Sequence, residues 1–61
     1  MYLDSSTLSE VRFGDWLKFG GFVGRVVQEP EGWLSCGSLS LDYILANYKI
    51  VEWKKRESNA R

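Results

Sequence analysis

FGDWLKFGGFVGRVVQ, residues 13–28, decides how this chain folds. Asp15 to Phe19 alternates and is rich in aromatics, which predicts a strand. Gly20-Gly21 follows, a pair without side chains that tolerates the positive φ of a two-residue hairpin turn. Phe22 to Gln28 then reads as the return strand, with Gly24 inside it marking a bulge, a sharp bend or a close backbone approach.

The two strands also set an inside and an outside. Leu17 and Phe19 share one face of the first, Trp16 and Lys18 the other. In the second, Gly24 and Val26 lie opposite Val23, Arg25 and Val27. Charges seldom sit unpaired in a core, so Lys18 and Arg25 define the outside. Leu17, Phe19 and Val26 are then expected to point inward. Trp16, Val23 and Val27 join the two cations on an outer face that is too apolar for an idle surface.

The remaining segments are short. Tyr2 and Leu3 suit a brief edge strand, and residues 1–9 are otherwise irregular. Thr7 and Glu10 have capping-box spacing, but Gly14 follows too soon for a full helix. Glu29 to Gly32 (EPEG) reads as a turn, and Trp33 to Gly37 as a third strand. Ser38 to Asn47 is the helical candidate, with Ser40 as cap, Leu41, Ile44 and Leu45 on one side, and Asn47 suited to a left-handed stop. Tyr48 to Lys54 reads as the last strand, and a basic tail over 55–61 is expected to fray. The sum is one domain, 1–61, mainly β: a small antiparallel barrel with a helical turn before the last strand.

Composition narrows what such a domain can be. Sixty-one residues lie near the lower limit for a chain that folds alone. One cysteine allows no internal disulfide, and without histidine a zinc site lacks ligands. Packing of nine aromatic side chains must carry the stability, with oligomerisation as the other route. Eight cations balance eight acids, so no global field draws in polyanions. Residues 49–61 nevertheless carry Lys49, Lys54, Lys55, Arg56 and Arg61 against Glu52 and Glu57. No apolar run is long enough to span a membrane, and the acidic, polar start is unlike a signal peptide. A lone cysteine then points to a reducing, cytoplasmic setting. The chain starts with Met and shows no tag, linker or repeat, which reads as a whole small gene product.

Gly14-Asp15, the alternating Trp16-Leu17-Lys18-Phe19 and the following Gly24-Arg25-Val26-Val27 together resemble the first hairpin of KOW-type and other SH3-like barrels. The match covers Gly14 to Val27, and the helical turn at Leu41–Ala46 resembles the one before the closing strand of such barrels. The resemblance implies an SH3-like barrel and, through the KOW branch, nucleic-acid binding in transcription or translation. The Gly20-Gly21 loop is shorter and less basic than in nucleic-acid-binding KOW modules. The acidic loop and paired tyrosines behind the proline-peptide groove of eukaryotic SH3 domains are not recognisable here.

Catalysis is not expected. There is no histidine for acid–base work, Cys36 lacks a base, and the glycines fit no phosphate loop. Neither a cofactor nor a metal is expected. Cys36 reads as a half-buried strand thiol, and Glu29 and Glu31 as solvent-facing. Of the three tryptophans, Trp53 is assigned to the core, Trp16 to the outer face, and Trp33 to a strand edge; Tyr43 and Tyr48 are placed as seals of the barrel end.

Two functions fit. The first is a non-enzymatic protein-binding module, a phage- or mobile-element-encoded inhibitor or regulator. It would present Trp16, Lys18, Val23, Arg25, Val27 and Trp33 to a host or cognate protein. The second is a nucleic-acid-binding barrel whose exposed aromatics stack on bases while Lys18, Arg25 and the cluster of Lys54, Lys55 and Arg56 contact phosphates. A homodimer seam on the same outer face is compatible with the first.

Overall fold

The computed structural model describes residues 1–56. In chain order the elements are β1 (Trp16–Phe19), β2 (Phe22–Arg25), β3 (Val27–Gln28), β4 (Leu34–Cys36), β5 (Leu39–Ser40), α1 (Leu41–Asn47) and β6 (Glu52–Lys54), preceded by one 3₁₀ turn at Leu8–Glu10. The strands make two antiparallel three-stranded sheets, ordered β2-β1-β6 and β3-β4-β5, and neither closes on itself. The helix of seven residues is too short to cross a membrane.

The hairpin of residues 16–25 forms as its glycines demand. Gly20 and Gly21 take φ of 56° and 82°, and Phe19 pairs with Phe22 directly across the turn. The return strand, expected as one piece over 22–28, is split. Val26 N–H donates to Asp15 O at 2.7 Å and Gly14 N–H donates to Val26 O at 2.8 Å, which keeps Val26 with the first sheet. Val27 and Gln28 pair instead with Ser35 and Leu34 of the second. The chain therefore changes sheets at Val26, the kind of bend by which one strand serves two packed sheets. Gly24 has a different task. A Cβ there would lie 2.6 Å from the Phe22 ring and 3.2 Å from Cys36 Sγ, so it marks the close approach of the two sheets.

Other boundaries shift for similar reasons. The third strand is shorter than Trp33–Gly37, because Gly37 and Ser38, with φ of 63° and 69°, already form the turn into β5. That turn and β5 take the first three residues of the expected helix, which begins at Leu41 with Ser40 Oγ accepting from Tyr43 N–H. Asn47 is not a left-handed stop. Tyr48 ends the helix in extended backbone with its N–H on Ile44 O, and Asn47 Nδ2 donates back to Tyr43 O. The last strand shrinks to three residues. Tyr2 makes a single bridge to Glu52 rather than a strand, flanked by Leu3 N–H to Val51 O and Trp53 N–H to Met1 O.

Leu3, Val11, Leu17, Phe19, Val26, Cys36, Leu41, Ile44, Val51 and Trp53 form one buried core, drawn from both sheets, the helix and the N-terminal segment. Cys36 is fully buried, not half-buried. Tyr48 does seal one end, its ring 4.9 Å from that of Phe19, whereas Tyr43 faces solvent.

The core also holds a carboxylate. Asp15 is 1% exposed, continuing the inward parity of Leu17 and Phe19. Its Oδ2 accepts from Arg12 N–H at 3.0 Å and Trp53 Nε1–H at 2.9 Å, and its Oδ1 from Arg56 N–H at 3.0 Å, with the Arg56 guanidinium at 3.5 Å. At the start of the expected tail Arg56 is bonded to Asp15 and Lys55 Nζ lies 5.6 Å from the Trp53 ring; residues 57–61 lie outside the described residues.

Burial alone would raise the Asp15 carboxyl, but the donors of Arg12, Arg56 and Trp53 and the Arg56 charge outweigh it and hold it below its ordinary 3.8. A depressed folded value means that this stabilisation is present above about pH 4 and lost as pH falls through the folded pKa. Asp15→Asn keeps the shape but loses the charge-assisted bonds, so it should cost about 1–3 kcal/mol at pH 7. Urea unfolding at pH 7 and pH 3 is expected to show a larger acid loss for the wild type than for the variant. Part of the slope persists in both, because Asp4, lowered chiefly by the Ser6 hydroxyl, titrates in the same window.

Candidate functional site

Inward parity for Asp15, Leu17 and Trp53 leaves the alternate residues of the first sheet on one outer face. The register arranges them in two rows. Arg25, Trp16 and Lys54 stand side by side across β2, β1 and β6, and Val23, Lys18 and Glu52 form the next row. Trp16 is 38% exposed and Val23 56%. The Arg25 guanidinium lies over the Trp16 ring at 4.6 Å, a cation–π contact that orients both side chains.

Two shallow depressions flank this ridge. Met1, exposed and carried in by the pairing of the N-terminal segment with β6, joins Trp16, Val23, Lys18, Lys54 and Lys55 around the first. Arg25, Lys54, Lys55 and Arg56 surround the second. Lys55 Nζ reaches to 5.6 Å from the Trp53 ring and so stands at the border of both. Among the described residues the only ion pair is Arg56 with Asp15, which leaves Lys18, Arg25, Lys54 and Lys55 without an acidic partner within 4 Å. Among the described residues Glu52 is the one acid lining these two depressions.

The structure thus joins four of the expected partner-binding residues, Trp16, Lys18, Val23 and Arg25. Two residues assigned to phosphate, Lys54 and Lys55, belong to the same surface. Arg56 sits at its margin with its backbone N–H and guanidinium turned toward Asp15. Val27 is exposed on β3, in the second sheet, where it lines a separate hollow with Phe13 and Arg25. Trp33 does not belong to it. That ring lies in a separate apolar hollow with Leu8, Leu34 and Leu41. Met1 and Glu52 were not singled out from sequence: Glu52 follows from the β1–β6 register, while Met1 depends on a long-range pairing with no local signal.

Burial pushes the Cys36 thiol up, away from the thiolate a nucleophile needs. Ser35 is buried and donates to Glu29 Oε2 at 2.6 Å, so Glu29 ties the 29–32 turn to β4 instead of facing solvent freely. Among the described residues no three His, Cys, Asp or Glu side chains gather as a metal site requires. Comparison with protein-family models, curated proteins and solved structures returned no match.

Two tryptophans separate the face from the core. Trp16→Ala should cost only about 1 kcal/mol, the loss of an exposed cation–π contact, and leave a cooperative unfolding transition. Trp53→Ala removes a 2% exposed ring and a hydrogen bond to Asp15, and about 3–5 kcal/mol is enough to unfold a domain of this size. Thermal melts followed by circular dichroism distinguish the two.

Proposed function

We propose that this protein is a non-enzymatic protein-binding module, built as a small SH3-like barrel, that docks a partner on the outer face of its first sheet. The observation that carries the reading is the Trp16–Arg25 pair. An arginine stacked on a half-exposed tryptophan, beside exposed Val23 and Met1, brings together the residue types that dominate binding energy at interfaces. Folding does not require it, because the core closes beneath it through Leu17 and Trp53. The barrel reading draws support from β1 pairing with both its hairpin partner and the last strand, and from the strand shared between sheets at Val26. A role as inhibitor or regulator of a host protein is consistent with a small binding domain of this kind.

The cations around Trp16 favour a second reading, a nucleic-acid-binding barrel in transcription or translation. It is the weaker one. Arg25 occupies the ring face on which a base would stack, and the exposed floor beside it is aliphatic rather than aromatic.

Capture from nuclease-treated lysate of the source cell tests the first reading. Wild-type protein and Trp33→Ser should retain the same protein band, and the double variant Trp16→Ala, Val23→Ser should lose it while keeping its circular dichroism. Retention by all three, or capture only of nucleic acid when nuclease is omitted, would sink the proposal.

A further inference from the structure

The occupant of the first-sheet face can be narrowed further, on the footing that this face binds protein. Its size is the first constraint. Three strands set about 4.8 Å apart, two of four residues and one of three, span at most about 10 by 13 Å, far below the area a folded partner covers in a standard interface. Such a patch matches one extended strand or a helical turn or two.

Charge is the second constraint. The whole chain is neutral, yet among the described residues Lys18, Arg25, Lys54 and Lys55 converge around these depressions against Glu52, and none of the four has an acidic partner within 4 Å. A neutral occupant would offer these cations only carbonyl and hydroxyl oxygens in exchange for water, whereas carboxylates would meet them with stronger, charge-assisted hydrogen bonds. The floor between them is apolar: Met1, the edge of Trp16 and Val23. From size, charge and floor together, we infer that the face receives a short acidic peptide segment with one large apolar side chain seated between Met1, Trp16 and Val23, its carboxylates against Lys18, Arg25 and Lys54.

Fluorescence anisotropy with three labelled probes tests this: a random Glu/Tyr copolymer, poly-glutamate, and a twenty-residue oligo-dT. The copolymer should bind most tightly, poly-glutamate several-fold more weakly for want of the apolar anchor, and oligo-dT more weakly than the copolymer. Affinity for the copolymer should fall as salt rises, since these charges are exposed. Lys18→Glu with Lys54→Glu should lower copolymer affinity by about tenfold or more and create binding to a Lys/Tyr copolymer. The inference is overturned if oligo-dT binds as tightly as the copolymer, if the charge-reversed variant binds the Glu/Tyr copolymer unchanged, or if no probe binds. Adding the Glu/Tyr copolymer to the lysate capture separates this failure from that of the broader reading. A Trp16-dependent protein band that the copolymer does not displace refutes the acidic segment alone, and a band indifferent to Trp16 refutes both.

Discussion

One buried carboxylate holds this small fold together. Asp15 receives donors from Arg12 at the start of the hairpin and from Trp53 and Arg56 near the end of the described chain, 38 and 41 residues away. Its backbone carbonyl meanwhile accepts Val26 N–H, the point where the chain passes between sheets. A lone carboxylate in a core is costly. With three N–H donors and a guanidinium it becomes a satisfied network whose partners would themselves be orphaned without it. A chain with no disulfide and no histidine for zinc thus gains a polar tie across a long loop closure.

The same constraint determines what lies outside. With Asp15 and Leu17 inward on β1 and Trp53 inward on β6, pleating leaves Trp16 and Lys54 outward and adjacent in register, with Arg25 on the other side. The candidate binding face is therefore the reverse side of the core network rather than a separate feature. Disturbing Asp15 would loosen both, whereas changing Trp16 reaches the outer face alone.

Local signals were legible in the sequence and long-range ones were not. Gly20-Gly21, the inward Leu17, Phe19 and Val26, the outward Trp16, Lys18, Val23 and Arg25, the buried Trp53 and the Ser40 cap each follow from neighbours a few residues away. The break at Val26 does not, because it depends on where Asp15 and Ser35 sit in space. Nor does β5, whose two residues resemble a helix start until Gly37 and Ser38 turn them back onto β4. The rule that charges avoid cores placed Lys18 and Arg25 correctly and gave no hint of Asp15, the exception, whose partners lie at the far end of the chain. Trp33 was grouped with the outer face by residue type, while its place in the second sheet set it elsewhere.

Net charge is too coarse a guide to the local field at this face. Electrostatic influence across an exposed surface fades over about 8–10 Å at physiological salt, comparable with the width of this sheet. A ligand seated beside Trp16 therefore senses Lys18, Arg25, Lys54 and Lys55, and only weakly the acids of the 29–32 turn or the helix start, which line neither depression. Neutrality over 61 residues leaves no net charge to draw in a polyanion from a distance, while the charge close to this face is locally positive. The sheet register creates that local charge, by bringing cations from three separate stretches of sequence around one tryptophan whose position the buried carboxylate fixes from behind.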